Sequence, residues 1–430
     1  MKTYNQPSPD QWATLLERPL MDVSDLENRV STILQKVQQE GDRALRDFTA
    51  RFDGVQLEGI AVSPEEFAAS EALVSQALKQ AIQTAHTNID QFHRQQQLQT
   101  EVIETMPGVK CWQKSVGIEK VGLYIPGGTA PLFSSVLMLA VPAKIAGCQE
   151  IVLCTPPAKD GSVHPAILYT ASLVGVSKVY KVGGAQAIAA MAYGTETVPQ
   201  VYKIFGPGNQ YVTAAKQLVN KSGLPIDMPA GPSEVLIVAD NSANPDFVAA
   251  DLLSQAEHGI DSQVVLVAFE EAMVRRTLDA VDRQLVDLPR QEIARKALEN
   301  SPAVILESEE AALQLVNQYA PEHLILSMDR ALEFAGHITN AGSVFIGHYT
   351  PESVGDYASG TNHTLPTNGF ARSYSGVNLD AYVKKITFQQ LSAAGLQKLG
   401  PVVEQMAQAE QLEAHKNAVS IRLKALKEID

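Results

Sequence analysis

VGLYIPGG at residues 121–128, followed by SVLMLAVPAKIAG at residues 135–147, sets the pattern for the middle of the chain. A short β-branched run ends in proline and glycine and gives way to an apolar stretch that reads as a helix. The same succession recurs as EIVLCTPP before AILYTASLVG, KVYKVGG before AQAIAAMAYG, and KIFGPGN before QYVTAAKQLV. Alternating strand and helix signals predict a parallel sheet, so we expect a doubly wound, Rossmann-like domain at residues 124–234.

A second set of signals on the C-terminal side predicts another α/β domain. ANPDFVAADLLSQAEHG and EEAMVRRTLDAVDRQL have helical periodicity, whereas SQVVLVAF, AVILE, HLILS and GSVFIG are typical of strands. Residues 1 to about 100 and the last fifty residues, which include QQLSAAGLQKLG, also have helical periodicity. The predicted fold class is therefore α/β, with two Rossmann-like domains whose parallel sheets are flanked by helices, an N-terminal helical segment and a C-terminal helical tail.

The composition is typical of a globular protein that binds a small molecule. The chain has 430 residues, of which 45% are hydrophobic, enough for two or three modules of roughly 150 residues. Its formal net charge of −14, with Lys and Arg scattered, argues against nucleic acid or an anionic membrane as a partner. No window approaches the ~18 consecutive apolar residues of a membrane span, and no apolar leader is present. We therefore expect a cytoplasmic protein.

The three cysteines are too few and too unevenly spaced for a disulfide framework. Cys148 and Cys154 flank a predicted strand and could suggest a thiol nucleophile. Nothing basic adjoins either residue in sequence, which favours core packing instead.

The turn GPGNQY at residues 206–211 is the nearest approach to a dinucleotide-binding fingerprint. A strand that ends in glycines before a helix presents backbone N–H groups and a helix dipole to a phosphate. Tyr211 stands where the fingerprint needs its third glycine, while Asp227 has about the spacing to meet a ribose. The turn is either a nucleotide loop or an ordinary tight turn.

Two stretches offer ligands for a metal ion. Gln255 and His258 stand three apart on a predicted helix that opens at Pro245, so both side chains leave one face. In the polar, non-periodic segment 352–367, Asp356 could bring a carboxylate to a cation and His363 a donor or base to a substrate. The alternatives are a satisfied core histidine in the first stretch, and an Asx-turn with a solvated histidine in the second.

Two further pairs carry acid/base groups. Glu322 and His323 directly precede an apolar strand, where they suit proton transfer at neutral pH, although a plain strand boundary is the alternative. Glu410 and His415 stand five apart, which on a continuous helix separates them by about 140°. Either the helix breaks between them, or they reach different parts of one ligand, or they belong to a solvated face.

Several of these strings together resemble the histidinol dehydrogenase family. VGLYIPGG, GGAQAIAA, FGPGN, DMPAGPSEVL, DLLSQAEHG, APEHL, GDYASGTNHTLPT and AEQLEAHKNAV occur in the order and approximate spacing of that family. No common fold requires these unrelated strings together, so the resemblance is specific and extends along nearly the whole chain. It implies an NAD-dependent enzyme that oxidises L-histidinol through L-histidinaldehyde to L-histidine, the last step of histidine biosynthesis.

The resemblance also implies a set of site residues. The implied ligands of one zinc ion per site, which also lie against the substrate, are Gln255, His258, Asp356 and His415. Further substrate contacts fall on Ser233, His323, His363 and Glu410, and cofactor contacts on Tyr124, Gln186 and Asn209. The implied catalytic pair is Glu322 and His323: His323 takes a proton in each oxidation, and Glu322 activates the water that adds to the aldehyde.

The resemblance further implies an intertwined homodimer in which the C-terminal tail carries Glu410 and His415 to the other subunit's site. With the strand pattern, it divides the chain into an N-terminal arm at 1–19, a discontinuous larger α/β domain at 20–123 and 235–376, an NAD-binding domain at 124–234, and the tail at 377–430.

Two other functions stay open on the residues alone. A zinc-dependent hydrolase would use the same four ligands to hold a water for attack on an amide or ester. A non-catalytic nucleotide-binding or interaction protein would keep the fold without the chemistry, although the intact Glu322 and His323 argue against it. NADH formation would separate both from a dehydrogenase.

Overall fold

The computed structural model describes residues 1–19, 24–127, 130–229 and 231–428, without the side chains of Ser24 and Asp25. The predicted start of the larger domain at residue 20, the last glycine of VGLYIPGG and the alanine of DMPAGPSEVL lie outside this part. The strands of the described chain, numbered β1 to β13, are Lys2–Asn5, Val102–Met106, Val109–Gly117, Lys120–Tyr124, Glu150–Thr155, Lys178–Lys181, Lys203–Phe205, Glu234–Ala239, Gln263–Ala268, Pro302–Ile305, His323–Ser327, Ser343–Ile346 and Val383–Leu391.

The helices connect most of these strands and form the C-terminal end of the described chain. Numbered α1 to α17, they are Pro9–Leu15, Ser24–Glu40, Asp42–Phe48, Pro64–Leu73, Gln76–Arg94, Phe133–Ile145, Pro165–Val174, Gly184–Tyr193, Gln210–Lys221, Pro245–Ala256, Glu271–Leu285, Gln291–Glu299, Glu309–Tyr319, Ala331–Ala335, Glu352–Tyr357, Ala393–Ala409 and Glu413–Lys427. No helix in the described ranges is both long and apolar enough to cross a membrane.

The chain divides into two compact units. Unit 1 comprises Met1–Gln96 and Ile118–Tyr382, and unit 2 comprises Gln97–Gly117 and Val383–Asp430. The segment boundaries expected from sequence stay a prediction.

Unit 1 contains a four-stranded parallel sheet in the order β6-β5-β4-β7. The first strand in sequence, β4, lies between β5 and β7, which is the strand order of one half of a doubly wound fold. Each strand is followed by a helix, from α6 to α9. Helix α6 is buried at every residue from Ser134 to Ala143, because it packs inside the unit rather than at its surface. The predicted Rossmann-like domain is confirmed.

Unit 1 also contains a six-stranded parallel sheet in the order β1-β10-β9-β8-β11-β12. All six residues of β8 are buried, as expected for a parallel strand covered on both faces. Val235 and Ile237 pack on the face that carries α10, while Leu236 and Val238 pack on the opposite face with Trp12. The predicted second parallel sheet is therefore confirmed.

Unit 2 contains an antiparallel sheet in the order β13-β3-β2, together with α16 and α17. Trp112 of β3 stacks on Phe388 of β13, with ring centroids 5.3 Å apart. We did not expect this sheet from sequence, and the helical expectation for the tail is wrong at residues 383–391, because they form β13. Pairing with β3, which is distant in sequence, outweighs the local helical pattern there.

The helical expectation for the first hundred residues is also wrong at the start of the chain, which is a strand and not a helix. Lys2–Asn5 form β1, which pairs in parallel with β10 at the edge of the six-stranded sheet. The segment KTYN is mostly exposed and has no apolar alternation, so its sequence carries no strand signal. An edge strand needs a partner on one side only, and that partner lies about 300 residues away in sequence.

Candidate active site

Glu322 and His323 lie at the amino end of β11, which is next to the edge strand β12 in the six-stranded sheet. His323 is the first residue of the strand, Glu322 precedes it, and both are buried. Their side chains meet, with 3.6 Å between His323 Nδ1 and Glu322 Oε2. The sequence left open whether these neighbours diverge, and the structure places both in one buried cluster.

The imidazole of His323 is held in a defined orientation. Its Nδ1 donates to the backbone carbonyl of Glu234 at 3.2 Å, and the Gln255 amide nitrogen lies 3.5 Å from the same atom. Its Nε2 is buried, has no hydrogen-bond partner, and lies 3.6 Å from Asp356 Oδ1. Because Nδ1 carries the proton, Nε2 is the nitrogen that can accept one.

Three side chains beside this histidine form a cluster suited to a cation. One ligand atom from each of His258, Glu352 and Asp356 lies within 4.8 Å of the others. Gln255 adds a fully buried amide whose Oε1 has no hydrogen-bond partner, and Glu352 Oε2 is also buried without one. Nitrogen and oxygen donors of this kind bind divalent metal ions, and a cation would satisfy both unpaired oxygens.

Helix α10 delivers two of these residues to the amino edge of the sheet. It begins at Pro245, after Asn244 caps it, as predicted, but it ends at Ala256. His258 therefore lies in the turn after the helix, which corrects the expectation that it shares a helix face with Gln255. Because a helix carries partial negative charge at its C-terminus, this position favours a cation.

The sequence indicated an irregular, polar segment at residues 352–367, but part of this segment is helical. Its first six residues form α15, which brings Glu352 and Asp356, four residues apart, into the same cluster. His363 is not solvated: its Nδ1 donates to the Asp356 carbonyl at 2.8 Å, and its Nε2 lies 3.0 Å from Ser135 Oγ. Burial lowers the pKa of His363.

Burial and crowding of carboxylates shift the proton affinities of the cluster. Burial raises the pKa of Glu322 and of Glu352 to about 8 in each case. Burial lowers the pKa of His323, but the carboxylates of Glu352, Glu322 and Asp356 outweigh it, and the net shift is upward. For Asp356 burial raises the pKa, but the neighbouring His323 outweighs it, and the net shift is downward. Burial thus favours the neutral forms of Glu322 and Glu352, and a bound cation would favour their carboxylate forms.

The residues expected to contact a cofactor lie at the carboxyl edge of the four-stranded sheet. Tyr124 ends β4, Gln186 lies in the first turn of α8, and Asn209 caps the N-terminus of α9 by accepting from the backbone N–H groups of Tyr211 and Val212. The Tyr124 hydroxyl accepts from Gly184 N at 3.0 Å, and burial raises its pKa to about 12. Gln186 is buried and Asn209 exposed.

Asp227 is not free to meet a ribose. Its carboxylate pairs with Lys216 Nζ at 2.5 Å and accepts from Gly206 N at 2.8 Å, and both charged side chains are buried. Lys216 also donates to the Gly206 carbonyl at 2.8 Å. Gly206 has φ +130°, and a Cβ there would lie 2.1 Å from the Tyr124 carbonyl, so the turn requires glycine. The buried ion pair therefore braces the turn at residues 206–209.

The remaining predicted residues fall into three places. Ser233, half-buried, precedes β8 at the same amino edge as Glu322 and His323. Glu410 and His415 are exposed in unit 2, and the helix breaks between them, because α16 ends at Ala409 and α17 starts at Glu413. Cys154 lies within β5 rather than beside it, and burial raises the pKa of both Cys148 and Cys154, in line with core packing.

Sequence reasoning missed Glu352 and Glu234. Glu352 and Asp356 have the i, i+4 spacing of one helix face, a signal that a helical reading of ESVGDY would have found. Glu234 opens β8, and nothing in its local sequence shows that it meets β11.

Comparison with known proteins identifies the relatives of this chain. Residues 16–423 match the family model for histidinol dehydrogenase. The histidinol dehydrogenase of Bacteroides thetaiotaomicron is 60% identical over 99% of this chain and 100% of its own length, and that of Salmonella typhimurium is 52% identical over 99% and 98%. The crystal structure of histidinol dehydrogenase from Elizabethkingia anophelis is 55% identical, covers 99% of each chain and superposes with a TM-score of 0.97.

Proposed function

The chain belongs to the histidinol dehydrogenase family and is an NAD-dependent dehydrogenase of histidine biosynthesis, and we propose that its chemistry takes place at the amino edge of the six-stranded sheet. The supporting observation is the contact of the buried pair Glu322 and His323 with a carboxylate-rich cluster that includes His258. The relatives give no support to a zinc-dependent hydrolase, the alternative that the sequence left open.

The cation of this site is proposed to be zinc, held by Gln255, His258 and Asp356, with His415 from a second copy of the chain. The unpaired Gln255 Oε1 and the clustered His258 and Asp356 donors support this assignment. When bound, zinc supplies a positive centre that orients the nitrogen groups of the amino alcohol, and NAD supplies the hydride acceptor. The same positive charge would favour the neutral form of His323, which is the form that can act as a base.

His323 is the proposed general base in both oxidations. Its Nδ1 is fixed by the Glu234 carbonyl, so its unpartnered Nε2 is directed towards the cluster and is available to take the alcohol proton. In the second oxidation the same atom takes a proton from the aldehyde hydrate.

Glu322 is proposed to activate the water that adds to the aldehyde. A carboxyl group with a pKa of about 8 exchanges protons near neutral pH, and its carboxylate form can accept one from water. The burial of both residues keeps bulk water from the aldehyde.

The other contacts follow the same assignment. Ser233, His363 and Glu410 would contact the substrate, with Glu410, like His415, supplied by the second copy in a homodimer. Tyr124, Gln186 and Asn209 would contact NAD at the carboxyl edge of the four-stranded sheet, where α8 and α9 direct their N-termini.

The test of this function is NADH formation from L-histidinol, counted per substrate consumed, before and after chelation and zinc readdition. We expect two NADH per histidinol, lost on chelation and restored by zinc. Metal-replete protein that makes no NADH from histidinol would contradict the assignment.

The shared site is tested by mixing a chain with His323→Ala and a chain with His415→Ala. One site of each heterodimer would then have both histidines, so part of the activity should return. Confirmed heterodimers without activity would rule out exchange of the tail.

A further inference from the structure

Glu234, the first residue of β8, touches both members of the catalytic pair. Its backbone carbonyl accepts from His323 Nδ1 at 3.2 Å, and its backbone N–H donates to Glu322 Oε2 at 2.9 Å. Its buried carboxylate accepts from Glu322 N at 3.3 Å. Nothing in the family resemblance or the proposed function gives Glu234 a role.

The two glutamates exchange hydrogen bonds across neighbouring strands. Because His323 of β11 pairs in register with Val235 of β8, Glu322 and Glu234 stand opposite each other just before that pair. Each carboxylate accepts from the backbone N–H of the other residue. The Glu234 backbone therefore holds the Glu322 carboxylate, and the Glu234 carboxylate holds the Glu322 backbone, which makes the position of Glu322 depend on Glu234.

Arg18 holds the Glu234 carboxylate in place. Its Nε and Nη2 donate to the two carboxylate oxygens at 2.5 and 2.9 Å, a bidentate pair, and Nη2 also donates to the Tyr319 carbonyl at 2.8 Å. The guanidinium carbon lies 3.9 Å from the centre of the Tyr319 ring. Planar stacking and a two-pronged ion pair are features that arginine provides and lysine does not.

The charges of Arg18 and Glu234 balance each other, and within the described part of the chain neither has a second charged partner that could replace the first. Glu234 is 2% exposed, so without Arg18 it would be a buried, unpaired carboxylate beside Glu322. Tyr319 Oη donates to Gln263 Oε1 at 2.8 Å and lies 3.3 Å from Glu234 Oε2, but it carries no charge to replace the arginine.

We propose that Arg18 and Glu234 are positioning residues for the catalytic pair, through which the N-terminal segment controls the aldehyde-oxidising step. The proposal rests on the proposed role of Glu322 in that step. Side-chain changes at Glu234 leave its two backbone contacts in place but alter the acceptor of Glu322 N, so they act on Glu322 first. The alcohol-oxidising step, which needs His323 alone, is affected less.

The experiment compares the two half-reactions in the full-length, zinc-loaded enzyme. The first NADH is followed in a single turnover with L-histidinol, and the second half-reaction is followed with L-histidinaldehyde supplied directly. The variants are Arg18→Met, Arg18→Lys and Glu234→Gln, with Arg330→Met as the control, because Arg330 pairs with Glu333 at the exposed surface. Glu322→Gln serves as the reference.

We expect Arg18→Met and Glu234→Gln to slow aldehyde oxidation about 10- to 100-fold, with KM for NAD unchanged and the alcohol step slowed by less than about threefold. Arg18→Lys should recover part of the loss, and the double variant Arg18→Met/Glu234→Gln should be no slower than the worse single variant, because the two act as a unit. Arg330→Met should match the unchanged enzyme.

Three results would overturn the proposal: equal losses in both half-reactions, no loss in either, or additive losses in the double variant. If Arg18→Met fails to fold, Glu234→Gln and Arg18→Lys still decide, because Gln has nearly the shape of Glu but cannot form the ion pair with Arg18, and Lys keeps the charge without the two-pronged geometry. Should Glu322→Gln spare the aldehyde step, the proposed function of Glu322 has failed. Should it slow that step while the Arg18 and Glu234 variants do not, only the present proposal has failed.

Discussion

The two parallel sheets of unit 1 hold their predicted functional residues at opposite ends. Tyr124, Gln186 and Asn209 lie at the carboxyl edge of the four-stranded sheet, where α8 and α9 begin. Glu322 and His323 lie at the amino edge of the six-stranded sheet, where α10 and α13 end. Helix N-termini favour anions and helix C-termini favour cations. The same βα architecture thus offers a place for a phosphate-bearing cofactor at the carboxyl edge of one sheet and for a cation at the amino edge of the other.

Each edge is also braced by a buried ion pair, but the two pairs hold different things. Lys216 and Asp227 bind the backbone N–H and carbonyl of Gly206, so they fix a turn. Arg18 holds the Glu234 carboxylate, and Glu234 in turn contacts the side chain and the backbone N–H of Glu322, so this pair fixes the proposed reacting group. Changes at the first edge should appear mainly in KM for NAD, and changes at the second mainly in kcat.

The largest effect should follow loss of the base at the amino edge. His323→Ala should lower kcat about 10²- to 10⁴-fold, the range of general acid/base catalysis, while KM for NAD stays within about twofold. Steady-state kinetics at saturating histidinol measure both quantities. The control is His337→Ala, because His337 is exposed. A change in KM for NAD as large as the change in kcat would remove the distinction between the edges.

Replacing Lys216, the positively charged member of the buried ion pair at the carboxyl edge, should mainly affect stability and NAD binding. Lys216→Met leaves Asp227 buried without its partner, which costs about 3–5 kcal/mol of the free energy of unfolding, and it frees the turn at 206–209, which should raise KM for NAD. Denaturant unfolding and steady-state kinetics provide the two readouts.

The matched control is Lys221→Met on the same helix, because Lys221 forms an exposed pair with Glu27 at 3.6 Å. A surface pair contributes about 0–1 kcal/mol. Equal destabilisation by the two variants, or a fall in kcat for Lys216→Met with KM unchanged, would contradict the proposed role of this brace.

How far these edges could be predicted from sequence depended on how local their signals are. The turn after Tyr124 and the turn at Asn209 both follow short strand patterns that end in glycine, so the local pattern located these turns. Only the family resemblance marked Tyr124 and Asn209 as cofactor contacts. The proposed catalytic cluster joins residues from β8, α10, β11 and α15, and only the family resemblance brought Gln255, His323 and Asp356 together beforehand. Glu234 and Glu352 had no such support, because their meaning depends on pairings between strands far apart in sequence.

Asp227 shows the converse case, in which a plausible local signal has another cause. Its spacing from GPGN suits a ribose contact, yet its carboxylate is fully used inside the protein by Lys216, Gly206 N and Met228 N. Spacing along the chain does not reveal which side of a turn an acidic side chain occupies. β1 was missed for a similar reason, since only its pairing with β10 makes it a strand.

A pH dependence of stability should separate the buried acid from surface acids. The pKa of Glu322 rises from an ordinary 4.5 to about 8 in the folded protein, so its stabilising contribution is complete below pH 4.5 and is lost as the pH rises through 8. Glu322→Gln does not titrate. Its unfolding free energy relative to the unchanged protein should therefore increase by a few kcal/mol between pH 5 and 8.5.

Denaturant unfolding of chelated protein at a series of pH values measures this difference. Glu307→Gln serves as the control, because Glu307 is exposed. If the stability difference of Glu322→Gln falls or stays flat as the pH rises, the carboxyl is not held in its neutral form by burial.

The smallest effect should come from one hydroxyl at the carboxyl edge. The Tyr124 oxygen accepts from Gly184 N at 3.0 Å and, with its pKa raised to about 12, keeps its own proton to donate at neutral pH. Tyr124→Phe keeps the ring and removes both bonds, which costs about 1 kcal/mol and corresponds to a rise of about fivefold in KM for NAD. The value of kcat should not change, because the hydroxyl lies at the other edge from the base.

Tyr202→Phe is the matched control, since Tyr202 is exposed. A fall in kcat for Tyr124→Phe at saturating NAD would mean that this hydroxyl acts on the reacting groups, and that the two edges do not divide binding from chemistry.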